Sequence, residues 1–345
     1  MAARMYFAGG NTLGGFKSFF EDLLPREPER KICYLHGGPG TGKSTLLRAL
    51  AAQWENTGHE VVRYPCASDP DSLDAVTAGA FAALDATPPH ALSSELPGMQ
   101  DCVIDLNRCL DMQALAAQRE HGMALSQRMR QQYQRAFRCL SAAQGALDDC
   151  AAIYAAAVDR GALCNLRLEL MRWITGAPGT SQRVFAQAVT AKGVVSLAES
   201  LLRPQTLCLD LPFGFDADAV LYPLAVMLSA QGTGVVSAMQ MLNGQRLAHV
   251  CTASHAVVCL NEPGCETRSL KFDEAVLRAE REALAFNRAA YDLWLQQGIE
   301  ALAQAKECHD SLERLYADAV NERLRRELSE EALAVFTENG LHEPR

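Results

Sequence analysis

Short apolar runs alternate with amphipathic stretches along the chain. Ile32–Leu35 is an apolar run of strand length, and after a glycine-rich segment Leu46, Leu47, Leu50 and Ala51 recur at helical spacing up to Trp54. Val61–Tyr64 and Phe81–Leu84 are further strand-length runs, and Leu207–Asp210 followed by Ala219–Leu228 repeats the strand and helix later on. The pattern then changes in each half. Residues 98–177 and 264–343 contain no proline, which permits long helices. Leu147, Cys150, Ala151, Tyr154 and Val158 follow the i, i+3, i+4, i+7, i+11 spacing of one helical face, and Leu312, Leu315, Tyr316 and Ala319 form a second such stripe. A helical hairpin is therefore expected at about 105–175 and another at about 270–340, with the two stripes packed against each other.

The same plan occurs twice because the sequence repeats. Phe7-Ala8 to Leu23-Leu24 lies over Phe185-Ala186 to Leu201-Leu202 at an offset of 178, matching Thr12 with Thr190, Gly15 with Gly193 and Glu21 with Glu199 on the way. At an offset of 175, Ile32-Cys33 falls on Leu207-Cys208, and at 174 Gly58, Val61, Val62 and Leu73 fall on Gly232, Val235, Val236 and Leu247. The helical segments match at 162, through Leu140, Ala143, Asp148 and Tyr154. The expectation is a tandem duplication with its seam near 177–180. The strand-like stretches Arg183–Val189 and Met5–Ala8 would each close the sheet of the other half.

Composition narrows the class. Apolar residues make up 49% and charged residues 21% of 345, an ordinary folded chain of about two domains. Asp and Glu (41) exceed Lys and Arg (32), so the basic footprint of a nucleic-acid binder is missing. The 12 cysteines contain no C-x-x-C pair and read as small buried hydrophobes. No charged-then-apolar leader precedes Met5, and Ala219–Leu228 is too short to span a bilayer, so a cytoplasmic location without membrane contact is expected.

Gly37-Gly38-Pro39-Gly40-Thr41-Gly42-Lys43-Ser44 fits G-x-x-x-x-G-K-[ST] between a strand and a helix, the context that a phosphate-binding loop (Walker A) requires. Its glycines let consecutive amides and the positive end of the following helix face a triphosphate. Gly37 to Thr45 are the candidate nucleotide-binding residues. Lys43 would reach the β- and γ-phosphates, and Ser44 would offer its hydroxyl to Mg²⁺. A carboxylate after a nearby apolar strand would complete the Mg²⁺ site. Asp85 is the first candidate, with Asp69 the second. Ser68-Asp69-Pro70-Asp71-Ser72-Leu73-Asp74 reads either as a loop holding an acceptor or a water, or as an acidic helix start. His90, after Thr87-Pro88-Pro89, reads as a surface histidine in a proline turn. Arg48 and Arg63 are the arginines nearest in sequence. In the second half Lys43 is expected to fall on Asp218 and Ser44 on Ala219, a degenerate loop that would repel phosphate.

Tyr6-Phe7-Ala8 with Asn11-Thr12, the Gly37–Ser44 loop, Cys66–Asp74 and Asp85–His90 followed by Pro97-Gly98 together resemble a family of bacterial tandem P-loop proteins labelled ATPase or nucleotide kinase. Phe185-Ala186, Thr190, Lys192-Gly193 and His309–Glu313 with Tyr316 extend the resemblance to the second half. It implies an α/β fold of two P-loop NTPase-like domains, each a parallel sheet flanked by helices, at 1–178 and 179–345. The functional expectation is an ATP- and Mg²⁺-dependent hydrolase with a structural or regulatory second half. The alternatives are a kinase for a small molecule or nucleotide, and a nucleotide-gated module whose helices bind a protein. No N-K-x-D guanine motif is present, so ATP is the default.

Overall fold

The computed structural model describes residues 4–336 apart from 27–28, 91, 95, 100 and 261–262, so the end of the second expected helical segment lies outside the described residues. The first half runs β1 (Arg4–Met5), a hairpin of β2 (Gly9–Thr12) and β3 (Gly15–Ser18), β4 (Lys31–His36), α1 (Lys43–Asn56), β5 (Val62–Pro65), β6 (Leu73–Ala78), β7 (Phe81–Asp85) and β8 (Asp101–Asp105). Three helices follow: α2 (Met112–Ala117), the 39-residue α3 (Arg119–Ala157) and α4 (Arg160–Trp173). The second half repeats this order. Its strands are β9 (Gln182–Phe185), β10 (Gln187–Thr190), β11 (Gly193–Ser196) and β12 (Gln205–Asp210), then α5 (Asp218–Ala230). Next come β13 (Val236–Met239), β14 (Leu247–Cys251), β15 (His255–Val258) and β16 (Glu266–Ser269), and finally α6 (Glu274–Ala279), the 37-residue α7 (Arg281–Ala317) and α8 (Glu322–Val335).

The two sheets share one topology. The first has strand order β1-β5-β6-β7-β4-β8 and the second β9-β13-β14-β15-β12-β16, with the same directions throughout. The sequence led us to expect parallel sheets, and neither sheet is one, because β6 and β14 run against their neighbours. The reason is connection length: only Gly79-Ala80 separates β6 from β7, with Gly79 at φ 56°, and a parallel crossover needs a dozen or more residues. The Asp69–Asp74 stretch therefore leads into a strand, and no helix starts there. Met5 and Arg183 also correct an expectation, since β1 pairs with β5 and β9 with β13, each inside its own half. The halves meet through reciprocal bonds between the Phe7 and Phe185 backbones, 2.9 and 2.8 Å.

Side-chain alternation sorts each sheet into two faces. Cys33 and Leu35 of β4 pack with Leu46, Leu50 and Trp54 of α1, whereas Ile32 and Tyr34 join a core that also takes Cys208, Ala256 and Val258 from the other sheet. The sheets thus share a core on one face and carry helices on the other.

Those helices come from both halves. Leu328, Ala332 and Phe336 of the α8 region bury themselves with Trp54 and Phe81 of the first half, and Leu166 and Leu170 of α4 join Val220 and Leu224 of the second. Among the described residues no helical hairpin forms within a half. Instead α3 and α7 lie antiparallel across the halves, with Leu140 against Gly298 and Asn287 donating to Asp149 at 2.5 Å. The tight approach at Gly298, where a Cβ would sit 2.9 Å from Leu140, sets the helix spacing. Among the described residues no helix is long and apolar enough to cross a membrane.

Because Phe336 is fully buried 5.1 Å from Trp54, Phe336→Ala should destabilise the protein by about 3–5 kcal/mol in denaturant titrations. Leu324→Ala, at an exposed position on the same helix, should stay within about 0.5 kcal/mol of the parent.

Candidate functional site

β4 ends at His36 and α1 begins at Lys43, so Gly37–Gly42 make the whole connection. Gly40 (φ 70°) and Gly42 (φ 97°) occupy the left-handed region that glycine alone takes without strain. The Lys43 ammonium donates to the carbonyls of Gly37 (2.5 Å) and Gly38 (3.0 Å) and lies 3.6 Å from Asp85 Oδ2. Thr41 Oγ1 donates to the Gly38 carbonyl at 2.8 Å, and the Gly38 amide donates to Asn107 Oδ1 at 2.9 Å. Pro39 sits in the loop and Thr45 in the first turn of α1.

Asp85 is brought here by the sheet. It ends β7, the direct neighbour of β4, in register with Leu35. Its Oδ1 accepts from the Thr87 amide at 2.8 Å, and Thr87 Oγ1 donates to the Gly37 carbonyl at 3.2 Å. Ser44 Oγ accepts from the Leu73 amide at 2.9 Å. The hydroxyl of Ser44 and the carboxylate of Asp85 are hard oxygen donors beside a phosphate loop, which suits Mg²⁺: that ion uses one or two protein ligands and takes the rest from phosphates and water.

The acidic loop does something the sequence did not reveal. Asp69 pairs with Lys306 of α7 at 3.3 Å, Asp71 pairs with Lys192 from the β10–β11 turn, and Ser68 hydrogen-bonds Tyr133 of α3 at 3.0 Å. Two of the three carboxylates therefore tie the loop to elements of the second half, and Asp69 faces α7. The third, Asp74, opens β6 and is buried. Burial, reinforced by the charge of Asp85, pushes its carboxyl up to about 7. His90 is buried as well, its side chain 6% exposed and its ring 4.2 Å from that of Phe20, contrary to the expected surface position. Burial lowers it to about 4, so the 3.5 Å approach of His90 Nε2 to Asp74 is not an ion pair at neutral pH.

The loop is covered from the second half. A Cβ on Gly38 would come 2.5 Å from the Tyr316 ring, one on Gly40 2.7 Å from the Glu313 carbonyl oxygen, and one on Gly42 3.4 Å from Arg325 Cδ. Arg325 thus lies at the start of α1, its guanidinium donating to Glu322 of its own helix at 2.5 Å. Of the two arginines nearest in sequence, Arg63 pairs with Glu55 at 2.6 Å and Arg48 donates to the Asp71 carbonyl. Tyr316 was visible only as part of a helical stripe, and nothing local pointed to Arg325.

The second half places its loop differently from the sequence match. β12 corresponds to β4 at an offset of 174, with Gln205↔His255 mirroring Lys31↔Phe81. Asp218 Oδ1 accepts from the Leu247 amide at 2.8 Å, the counterpart of Ser44 and Leu73, and Gly214 (φ 83°) mirrors Gly40. Asp218 therefore stands where Ser44 does, and Ala217 where Lys43 does. The expected pairing of Lys43 with Asp218 came from laying Cys208 over Cys33, but these face opposite sides of their sheets, and a one-residue slip exchanges the faces.

Residues 26–150 match the model of a protein family described as an AAA domain. The matched span contains β4, the loop, α1 and Asp85, so the first half carries a P-loop nucleotide-binding domain of NTPase type. No curated protein and no solved structure matches the chain.

Gly40→Ala should destabilise the protein by at least about 1 kcal/mol, because it forces alanine into a left-handed conformation against a backbone carbonyl of α7. Thermal denaturation reads this directly.

Proposed function

We propose that the chain is a Mg²⁺-dependent ATPase with one turnover site, at Gly37–Ser44, built by a tandem duplication whose second half contributes α7 and α8 to that site and has no phosphate site of its own. The observation that carries this reading is the convergence on one loop of Lys43, Ser44 and Asp85 from the first half with Arg325 from the second.

Lys43 exchanges its bonds to the Gly37 and Gly38 carbonyls for β- and γ-phosphate oxygens when nucleotide enters. The loop amides and the N-terminus of α1 hold the phosphate chain. Ser44 and Asp85 would hold Mg²⁺, which supplies charge neutralisation at the β- and γ-oxygens. Asp74, its carboxyl raised to about 7, accepts the proton of the attacking water, and Arg325 balances the charge of the leaving diphosphate. ATP is assigned over GTP by default. Transfer to a small acceptor is the second reading, favoured by the burial of Asp74 and His90 beneath a covered loop, since a site that excludes water favours an acceptor over hydrolysis.

Phosphate release with Mg-ATP and no acceptor should be detectable and should fall by about 10² or more in Lys43→Ala, while Asp218→Ala leaves it nearly unchanged. Release only after an acceptor is added would establish transfer instead. Arg325→Ala should lower kcat about 10³-fold and retain the nucleotide-induced thermal shift.

The pH profile tests the base. Asp74 works deprotonated, so kcat/KM should drop as pH falls through about 7, and Asp74→Asn should remove that limb. The sign for stability is opposite. A carboxyl raised in the folded state favours folding below its unfolded value and loses that contribution as pH rises through about 7, so Asp74→Asn should raise the melting temperature at pH 8.

A further inference from the structure

The second half contains a cavity of about 320 Å³ at the place where the first half holds its catalytic groups. The offset of 174 fixes the correspondence. Ala217 replaces Lys43, Ala248 replaces Asp74, and Cys259, just after β15, replaces Asp85; all three line the cavity. Three charged groups have become small uncharged ones, and the volume they vacate remains open.

Aromatic rings face that volume. Phe213, Phe215 and Tyr291 line it, with the Phe213 and Tyr291 rings 5.1 Å apart at 67°. The charges near it are paired: Arg246 lies 2.8 Å from Asp148 and 3.5 Å from Asp216, and Arg288, its guanidinium 4.3 Å over the Phe213 ring, lies 3.0 Å from Asp292. Those contacts occupy the two cations that a phosphate would require.

Two polar groups belong to the wall. Gln144 of α3 is 4% exposed and gives its amide nitrogen to Asp148 at 3.0 Å, while among the described residues its Oε1 has no hydrogen-bond partner. A donor brought beside that buried acceptor would satisfy it. His249 is buried and held neutral, its ring lowered to about 4 by burial. Its Nδ1 accepts from the Cys259 amide at 3.0 Å, so the ring proton is on Nε2 and remains a donor.

We infer that this cavity binds an uncharged, flat heteroaromatic molecule of the nucleobase class, unphosphorylated, packed among Phe213, Phe215 and Tyr291 and hydrogen-bonded to Gln144 and His249. Its volume sits at the lower end for ligand pockets, which fits a base or small nucleoside. Aromatic stacking supplies the affinity, and the acceptor and donor pair supplies the orientation. The site uses none of the groups assigned to turnover, so it stands or falls independently of the ATPase reading.

The test is calorimetric titration of the full chain, held in saturating ATP to occupy the first loop, with free adenine, guanine, cytosine and uracil in turn. At least one base should bind saturably at one site per chain. Phe213→Ala and Gln144→Leu should each weaken it about tenfold or more, whereas Lys43→Ala, titrated without ATP, should bind the same base unchanged. The ATP-induced thermal shift, retained in Phe213→Ala and Gln144→Leu, reports that they are folded. Absence of binding by all four bases would overturn the inference. So would binding that both cavity variants leave intact, or binding that Lys43→Ala removes.

Discussion

The packing of Phe336 on Trp54 holds the molecule together in a way that neither half could achieve alone. Trp54 lies in the last turn of α1, its ring 6.0 Å from that of Phe81 on β7, and the residue that seals it, Phe336, lies near the far end of the chain. The reciprocal arrangement puts Leu166 and Leu170 of α4 over α5. Each sheet buries its outer face only by borrowing a helix from the other half, so folding of the loop region and folding of the complete chain are one event. Long-range exchange of this kind raises contact order and slows folding, because loop closure precedes the contacts that reward it. It also makes each half a part of the other's site.

The frame is symmetric and its chemistry is not. Both halves keep the strand, the turn, the left-handed glycine at Gly40 or Gly214, and the bond from a strand amide to the start of the helix. They differ at the few positions where charge matters. Lys43, Asp74 and Asp85 in the first half face Ala217, Ala248 and Cys259 in the second, and the acidic loop of the first half is anchored by lysines that the second half supplies. Fold is preserved by apolar positions and main-chain bonds, which tolerate the loss of every charged group in the site.

Much of this was legible in the sequence, and the part that was not has physical reasons. The strand, loop and helix around Lys43 were readable because glycine, lysine and an amphipathic stretch occur at the spacing of a phosphate-binding loop, and the place of Asp85 beside Lys43 followed from an apolar run ending in a carboxylate. The antiparallel β6 was missed because its Asp74 and Thr77 broke the apolar pattern, and its direction is set by the length of the Gly79-Ala80 turn. Lys43 was paired with the wrong residue because matching cysteines outweighed the alternation of faces. The crossing of the helices left no local trace: a stripe containing Tyr316 looks the same whether it packs on its own half or on the other. Burial of His90 and the raised carboxyl of Asp74 arise from neighbours distant in sequence, so composition could not disclose them.

The antiparallel pair of α3 and α7 gives the two loops a common mechanical axis. On α7, Glu313 rests on Gly40 of the first loop, and Tyr291, 22 residues earlier in the same unbroken helix, forms a wall of the second cavity. At 1.5 Å per residue that is a rod of about 33 Å with one end on each loop. The length of one helix therefore fixes the distance between the two loops, whatever either of them holds.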